Sequence, residues 1–129
     1  NLLTHKPKLG HITTFGGHPV NCAASVATLK YLLSSDIMQQ IKAKERIFKD
    51  NLKHPLIKEI RGAGLMLALE FKDEEIAKLI VEKCLDGGLI LFYFLFTKTA
   101  IRISPPLTIS NNEITKGCEI LIKKLDEIS

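Results

Sequence analysis

The chain has 129 residues, of which 46% are hydrophobic and 25% charged, with a formal net charge of +4; this is the balance of a globular chain with a core of its own and excludes a disordered or low-complexity one. The basic residues are spread over several elements. Their densest run, Lys42, Lys44, Arg46 and Lys49, is broken by Glu45 and Asp50 and lacks interleaved aromatics, so it reads as the solvated face of a helix and nucleic acid is not expected as a partner.

Asn1 to Gly10, NLLTHKPKLG, opens without an initiator methionine, as a short apolar piece ending in a Pro-containing loop, and reads as entry into the middle of a larger protein. Next comes HITTFGGHPVNCAASVA, His11 to Ala27, around which the chain is organised. Thr13 and Thr14 offer hydroxyls, Gly16 and Gly17 permit a sharp turn, and Pro19 suits the first turn of a helix. The small residues Cys22, Ala23, Ala24, Ser25 and Ala27 let that helix lie close to another backbone. Hydroxyls and free N–H groups at a helix start are the elements of a phosphate site, and equally of a loop that caps a buried helix.

The first helix is expected over Pro19–Leu33. Ser34, Ser35 and Asp36 supply N-cap chemistry for a second helix running to about Leu52, with Ile37, Ile41, Phe48 and Leu52 on its inner stripe. Leu56–Ile60 reads as a short strand, Arg61-Gly62-Ala63-Gly64 as a turn, and Leu65–Phe71 as a strand with its odd-numbered residues on one face. The GAG sequence is no dinucleotide fingerprint, because a strand pattern follows where a helix is required. Asp73 caps a helix with Ile76, Leu79, Ile80, the Lys83 stem and Cys84 on one stripe, ending at Gly87-Gly88. Leu89–Phe96, LILFYFLF, is apolar on both faces and is expected as a central strand or as a surface packed against another domain.

Ala100–Ser104 is the last strand, stopped by Pro105-Pro106, with Arg102 and Ser104 on the face opposite Ile101 and Ile103. Arginine is a rigid fork of donors suited to a carboxylate, so Arg102 is either a ligand for an acid or a cation on the wet face of an edge strand. Ser110-Asn111-Asn112-Glu113 matches a capping box for a final helix with Ile114, Cys118, Leu121, Ile122 and Leu125 inside. This order predicts an α+β fold: a small antiparallel or mixed sheet with helices packed on one face, preceded by a long helix. Cys22, Cys84 and Cys118 lack metal-ligand spacing and are expected as buried, reduced thiols; the four histidines show no ligand pattern either, so no metal is expected. The longest apolar run is far too short to span a membrane.

The segments TTFGGHP with its Ala-rich helix, RGAGLM at Arg61–Met66 and IRISPPL at Ile101–Leu107, in that order, resemble the class III, ornithine/acetylornithine-type aminotransferases, pyridoxal 5′-phosphate enzymes of fold type I. The resemblance implies the C-terminal portion of such an enzyme, with residues 1–35 ending the large domain as phosphate loop and interface helix and residues 36–129 forming the small C-terminal domain. It implies that Thr14 holds the phosphate of the cofactor bound in the partner subunit and that Arg102 binds a substrate carboxylate. His18 stands where the family usually has Asn.

The family's Schiff-base lysine lies further upstream of the matched threonine than the thirteen residues that precede Thr14 here. By this resemblance it is absent from the chain, no residue here is catalytic, and the isolated chain is inactive. Lys6 and Lys8 are excluded by position, and Pro7 and their polar setting offer no apolar pocket to lower an amine's pKa. The implied partners are an amino donor and a 2-oxo acid, within a cytoplasmic homodimer. The alternative is a free-standing α+β interaction module without catalysis.

Overall fold

The computed structural model describes residues 13–129, so the apolar entry segment, Lys6 and Lys8 lie outside the described residues. The chain divides into two compact units between Asp36 and Ile37.

The described part of the first unit is a loop followed by helix α1, Pro19–Ser34. Its start follows local chemistry: Pro19 occupies the first turn, and the Nδ1 of His18, the N-cap residue, accepts the Val20 N–H at 3.3 Å. Histidine thus performs the capping expected of asparagine. At the other end the Ser35 N–H donates to the Tyr31 carbonyl, and the Ser34 hydroxyl also turns back to Tyr31. Of the three residues expected to cap the next helix, Ser34 turns its hydroxyl back into α1 and the Ser35 hydroxyl has no partner among the described residues. No residue of α1 is buried against the other described residues, although its apolar residues lie all round the helix. Cys22 is consequently exposed, where burial was expected, whereas Cys84 and Cys118 are buried.

In the second unit, helix α2 (Ile37–Asn51) precedes strands β1 (Ile57–Ala63) and β2 (Met66–Phe71), followed by helix α3 (Glu74–Asp86), strands β3 (Phe92–Tyr93) and β4 (Ala100–Ile103), and helix α4 (Asn111–Asp126). The four strands form an antiparallel sheet in the order β1-β2-β4-β3. The helices share one hydrophobic core with one face of the sheet: Leu67, Leu69 and Ile101 meet Phe48 of α2, Ile80 of α3 and Ile114 of α4. Each fully buried Leu or Ile there contributes about 1.5–3 kcal/mol. The α+β architecture is the one expected.

Several local expectations are realised by the residues named for them. Asp73 accepts the Ile76 N–H at 2.9 Å, and Ser110 and Glu113 close a reciprocal capping box on α4. In α3 Ile80 and Cys84 are buried as expected, joined by Ala77, and Ile76 packs against the core, while Leu79 is exposed.

Three expectations are corrected. Arg61, Gly62 and Ala63 are not a turn but the end of β1, and the hairpin reverses over Gly64 and Leu65. Gly62 is needed in that strand because its φ is +130° and a Cβ would run into the Met66 carbonyl oxygen. Lys44 is not on the solvated face of α2; it falls between Ile41 and Phe48 on the inner stripe, is 4% exposed, and its Nζ donates to the Leu107 carbonyl at 2.8 Å. Finally, Leu89–Phe96 is not a central strand. Only Phe92 and Tyr93 pair, at the sheet edge against β4, and Leu95 and Phe96 are more than nine-tenths exposed.

Candidate functional site

The loop before α1 is drawn together by its own backbone and by side chains from the first turn of the helix. The His18 N–H and the Asn21 side-chain amide both donate to the Phe15 carbonyl, each at 3.1 Å, and the Cys22 thiol reaches the Gly16 carbonyl. Gly16 leaves room for the Thr13 hydroxyl, which a Cβ at that position would strike. Thr14 is exposed, and its hydroxyl makes no hydrogen bond to another described residue. This loop presents the exposed hydroxyls of Thr13 and Thr14 beside a helix start. That is the equipment for contact to a phosphate, not for enclosing a whole cofactor.

The second unit holds the arginine. Register places Arg61, Ala68, Arg102 and Phe92 in one row across the sheet, on the face away from the helices. Arg61 donates to Glu70 at 2.8 Å, and the Thr99 hydroxyl donates to the same carboxylate at 2.5 Å. The Thr99 hydrogen bond, followed by that from Arg61, holds the Glu70 carboxyl below the usual carboxylate range against the opposing effect of burial. Nothing local in the sequence pairs Glu70 with Thr99, which the fold brings together just before β4.

Arg102 is placed differently. Its guanidinium carbon lies 5.3 Å from the centroid of the Phe92 ring, and its Nε is buried without a hydrogen-bond partner. Among the described residues Arg102 forms no ion pair.

A cavity of about 330 Å³ lies between the sheet and the helices, walled by Phe48, Ile114, Gly117 and Leu121 with Leu91 and Pro105, and Arg102 and Phe92 border it from strand positions whose side chains lie on the opposite face. Glu113 also borders it, but its carboxylate is occupied by the Ser110 N–H and hydroxyl at 2.8 and 2.7 Å, which hold its pKa below the ordinary value. A half-buried cation with unused donors is suited to an organic acid. The buried thiols offer no competing chemistry, because burial pushes Cys84 and Cys118 up to about 11. Thr14 belongs to the first unit and Arg102 to the second.

Comparison with known proteins gives this geometry its context. The family model for class III aminotransferases matches residues 2–125. The chain is 37% identical over 123 residues to the acetylornithine aminotransferase of Caldanaerobacter subterraneus subsp. tengcongensis, an alignment covering 92% of this chain and 30% of that protein. Among solved structures, the ornithine aminotransferase of Toxoplasma gondii aligns with a TM-score of 0.76 at 30% identity, over 92% of this chain and 29% of the other. The adenosylmethionine-8-amino-7-oxononanoate aminotransferase of Methanocaldococcus jannaschii aligns with a TM-score of 0.76 at 26% identity, over 91% of this chain and 30% of the other.

The chain belongs to the class III aminotransferase family. It spans about 30% of the length of the relatives it matches. Among the described residues no helix is long and apolar enough to cross a membrane.

Proposed function

We propose that this chain supplies the C-terminal part of a pyridoxal-phosphate-dependent aminotransferase that moves an amino group between an amino acid or amine and a 2-oxo acid. Residues 1–35 close the large domain, with α1 as an interface helix, and residues 36–129 form the small domain of a cytoplasmic homodimer. Pyridoxal phosphate supplies the electron sink for the transfer. The residues of this chain bind and orient. Thr14 donates one hydrogen bond to the phosphate of the cofactor carried by the partner subunit, and Arg102 holds the carboxylate of the substrate. No lysine of this chain is the Schiff-base lysine, so the chain alone is inactive.

The observation that carries this reading is the contrast within one row of the sheet: Arg61 is consumed by Glu70, while Arg102 has neither an ion-pair nor a hydrogen-bond partner among the described residues. The free hydroxyl of Thr14 fits the proposed single phosphate contact and is consistent with a cofactor held mainly by other residues.

The test has two arms. The complete enzyme is assayed for amino transfer from a panel of amino acids and amines to 2-oxo acids. Transfer that depends on added pyridoxal phosphate is expected, and a cofactor-loaded enzyme that transfers from no donor would overturn the reading. The present chain is incubated with pyridoxal phosphate, reduced with borohydride and digested. Scattered low labelling of surface lysines is expected; one stoichiometrically modified lysine would contradict the assignment.

A further inference from the structure

We infer that Phe92 is a positioning residue for Arg102: its ring holds the guanidinium by the flat face and leaves the terminal in-plane N–H donors unpaired for a substrate carboxylate. The inference rests on the substrate role proposed for Arg102. It starts from register, since Phe92 is the direct cross-strand partner of Arg102 in a strand of only two residues. The 5.3 Å separation from the ring centroid lies within the reach of a cation–π contact.

The geometry of the guanidinium explains why a ring serves here better than an acid. Its five N–H donors point outward in the plane, whereas its attraction to an aromatic quadrupole acts through the face. A carboxylate partner neutralises the charge and occupies the donors, as Glu70 does for Arg61 at 2.8 Å. An aromatic partner does neither. Glu113, the carboxylate bordering the same cavity, is already taken up by Ser110 and does not compete.

Phe92 has little to do as a core residue. It is 53% exposed and lies on the sheet face away from the helices. What its ring fixes is the rotamer of a long side chain that otherwise loses considerable freedom when a substrate binds. The expected signature is therefore in substrate capture, with the chemistry left intact.

The experiment compares Phe92→Leu, Phe92→Tyr and Arg102→Ala with wild type in the complete enzyme, using one amino donor that bears the recognised carboxylate and one amine that lacks it. Phe92→Leu keeps an apolar side chain and removes the π face. It should raise KM for the carboxylate donor and lower its kcat/KM roughly 3- to 10-fold, leaving kcat and the carboxylate-free donor unchanged. Phe92→Tyr should restore wild-type values. If Arg102→Ala loses the carboxylate donor but Phe92→Leu does not, the positioning role is wrong and the substrate role stands. Equal losses on both donors, unrelieved by tyrosine, would make Phe92 structural and overturn the inference. If Arg102→Ala handles both donors normally, the substrate role falls and the positioning role with it. A second readout needs no turnover: in NMR spectra of the present chain the Arg102 Nε–H signal should carry the ring-current shift of Phe92 and move on Phe92→Leu. An unmoved signal would contradict the stacking itself.

Discussion

Arg61 and Arg102 stand in one row across the sheet with only Ala68 between them, yet one is spent on a carboxylate and the other is not. Arg61 is half-exposed and paired with Glu70, an arrangement that neutralises both groups. Arg102 lies over the ring of Phe92, its neighbour on the edge strand, and forms no ion pair among the described residues. Two identical side chains, separated by two strand spacings, thereby acquire different chemistry from their neighbours alone.

Lys44 fixes the loop that follows Arg102. Its buried amine donates to the Leu107 carbonyl just past the proline pair, tying α2 to the segment that ends β4. Lys44→Ala strands that carbonyl and should destabilise the unit by about 1–3 kcal/mol, read from urea denaturation midpoints at unchanged slope. A variant as stable as wild type would show that water satisfies the carbonyl equally well.

The helices were legible in the sequence because their signals are local. Asp73 and the Ser110–Glu113 box carry out the capping chemistry that their spacing announces, and apolar periodicity located α2 and α4. The same periodicity puts Lys44 inside, whereas its charge points to the solvated face. Leu89–Phe96 is not a central strand for a different reason. Continuous apolarity signals contact with something apolar without saying what, and here only two of its residues join the sheet, at its edge. Arg102 was legible as a chemical possibility, whereas its partner Phe92 and the counter-example of Arg61 with Glu70 depend on strand register, which no single segment encodes.

The Glu70 cluster makes stability depend on acid. Hydrogen bonds from Thr99 and Arg61 hold its folded pKa below the ordinary value, so its contribution is complete above the unfolded pKa and is lost as pH falls through the folded one. The stability difference between wild type and Glu70→Gln should therefore be largest near neutrality and shrink as pH falls below about 4.3, the unperturbed glutamate value. Paired denaturation curves at pH 7 and pH 3 measure it. A difference that is the same at both would mean that the carboxylate charge contributes nothing.

Thr14 is proposed to serve the cofactor of the other subunit. Subunits lacking the Schiff-base lysine are mixed with subunits carrying Thr14→Ala in the complete enzyme. Each heterodimer then has one site damaged twice and one site intact, so activity should rise above that of both parent homodimers. Activity no higher than the parents would show that Thr14 acts within its own subunit or not at all.

The central claim is that Arg102 recognises a substrate carboxylate by a charge-assisted, two-point contact. The decisive measurement is kcat/KM for a carboxylate-bearing and a carboxylate-free amino donor in wild type, Arg102→Lys and Arg102→Ala complete enzyme, with cofactor occupancy followed by absorbance. Arg102→Ala should cost roughly 2–5 kcal/mol with the carboxylate donor, and lysine should recover only part of that because it keeps the charge and loses the fork. The carboxylate-free donor should be nearly indifferent and the cofactor retained. Equal losses for both donors, or loss of the cofactor, would contradict the account and leave Arg102 a residue of the fold.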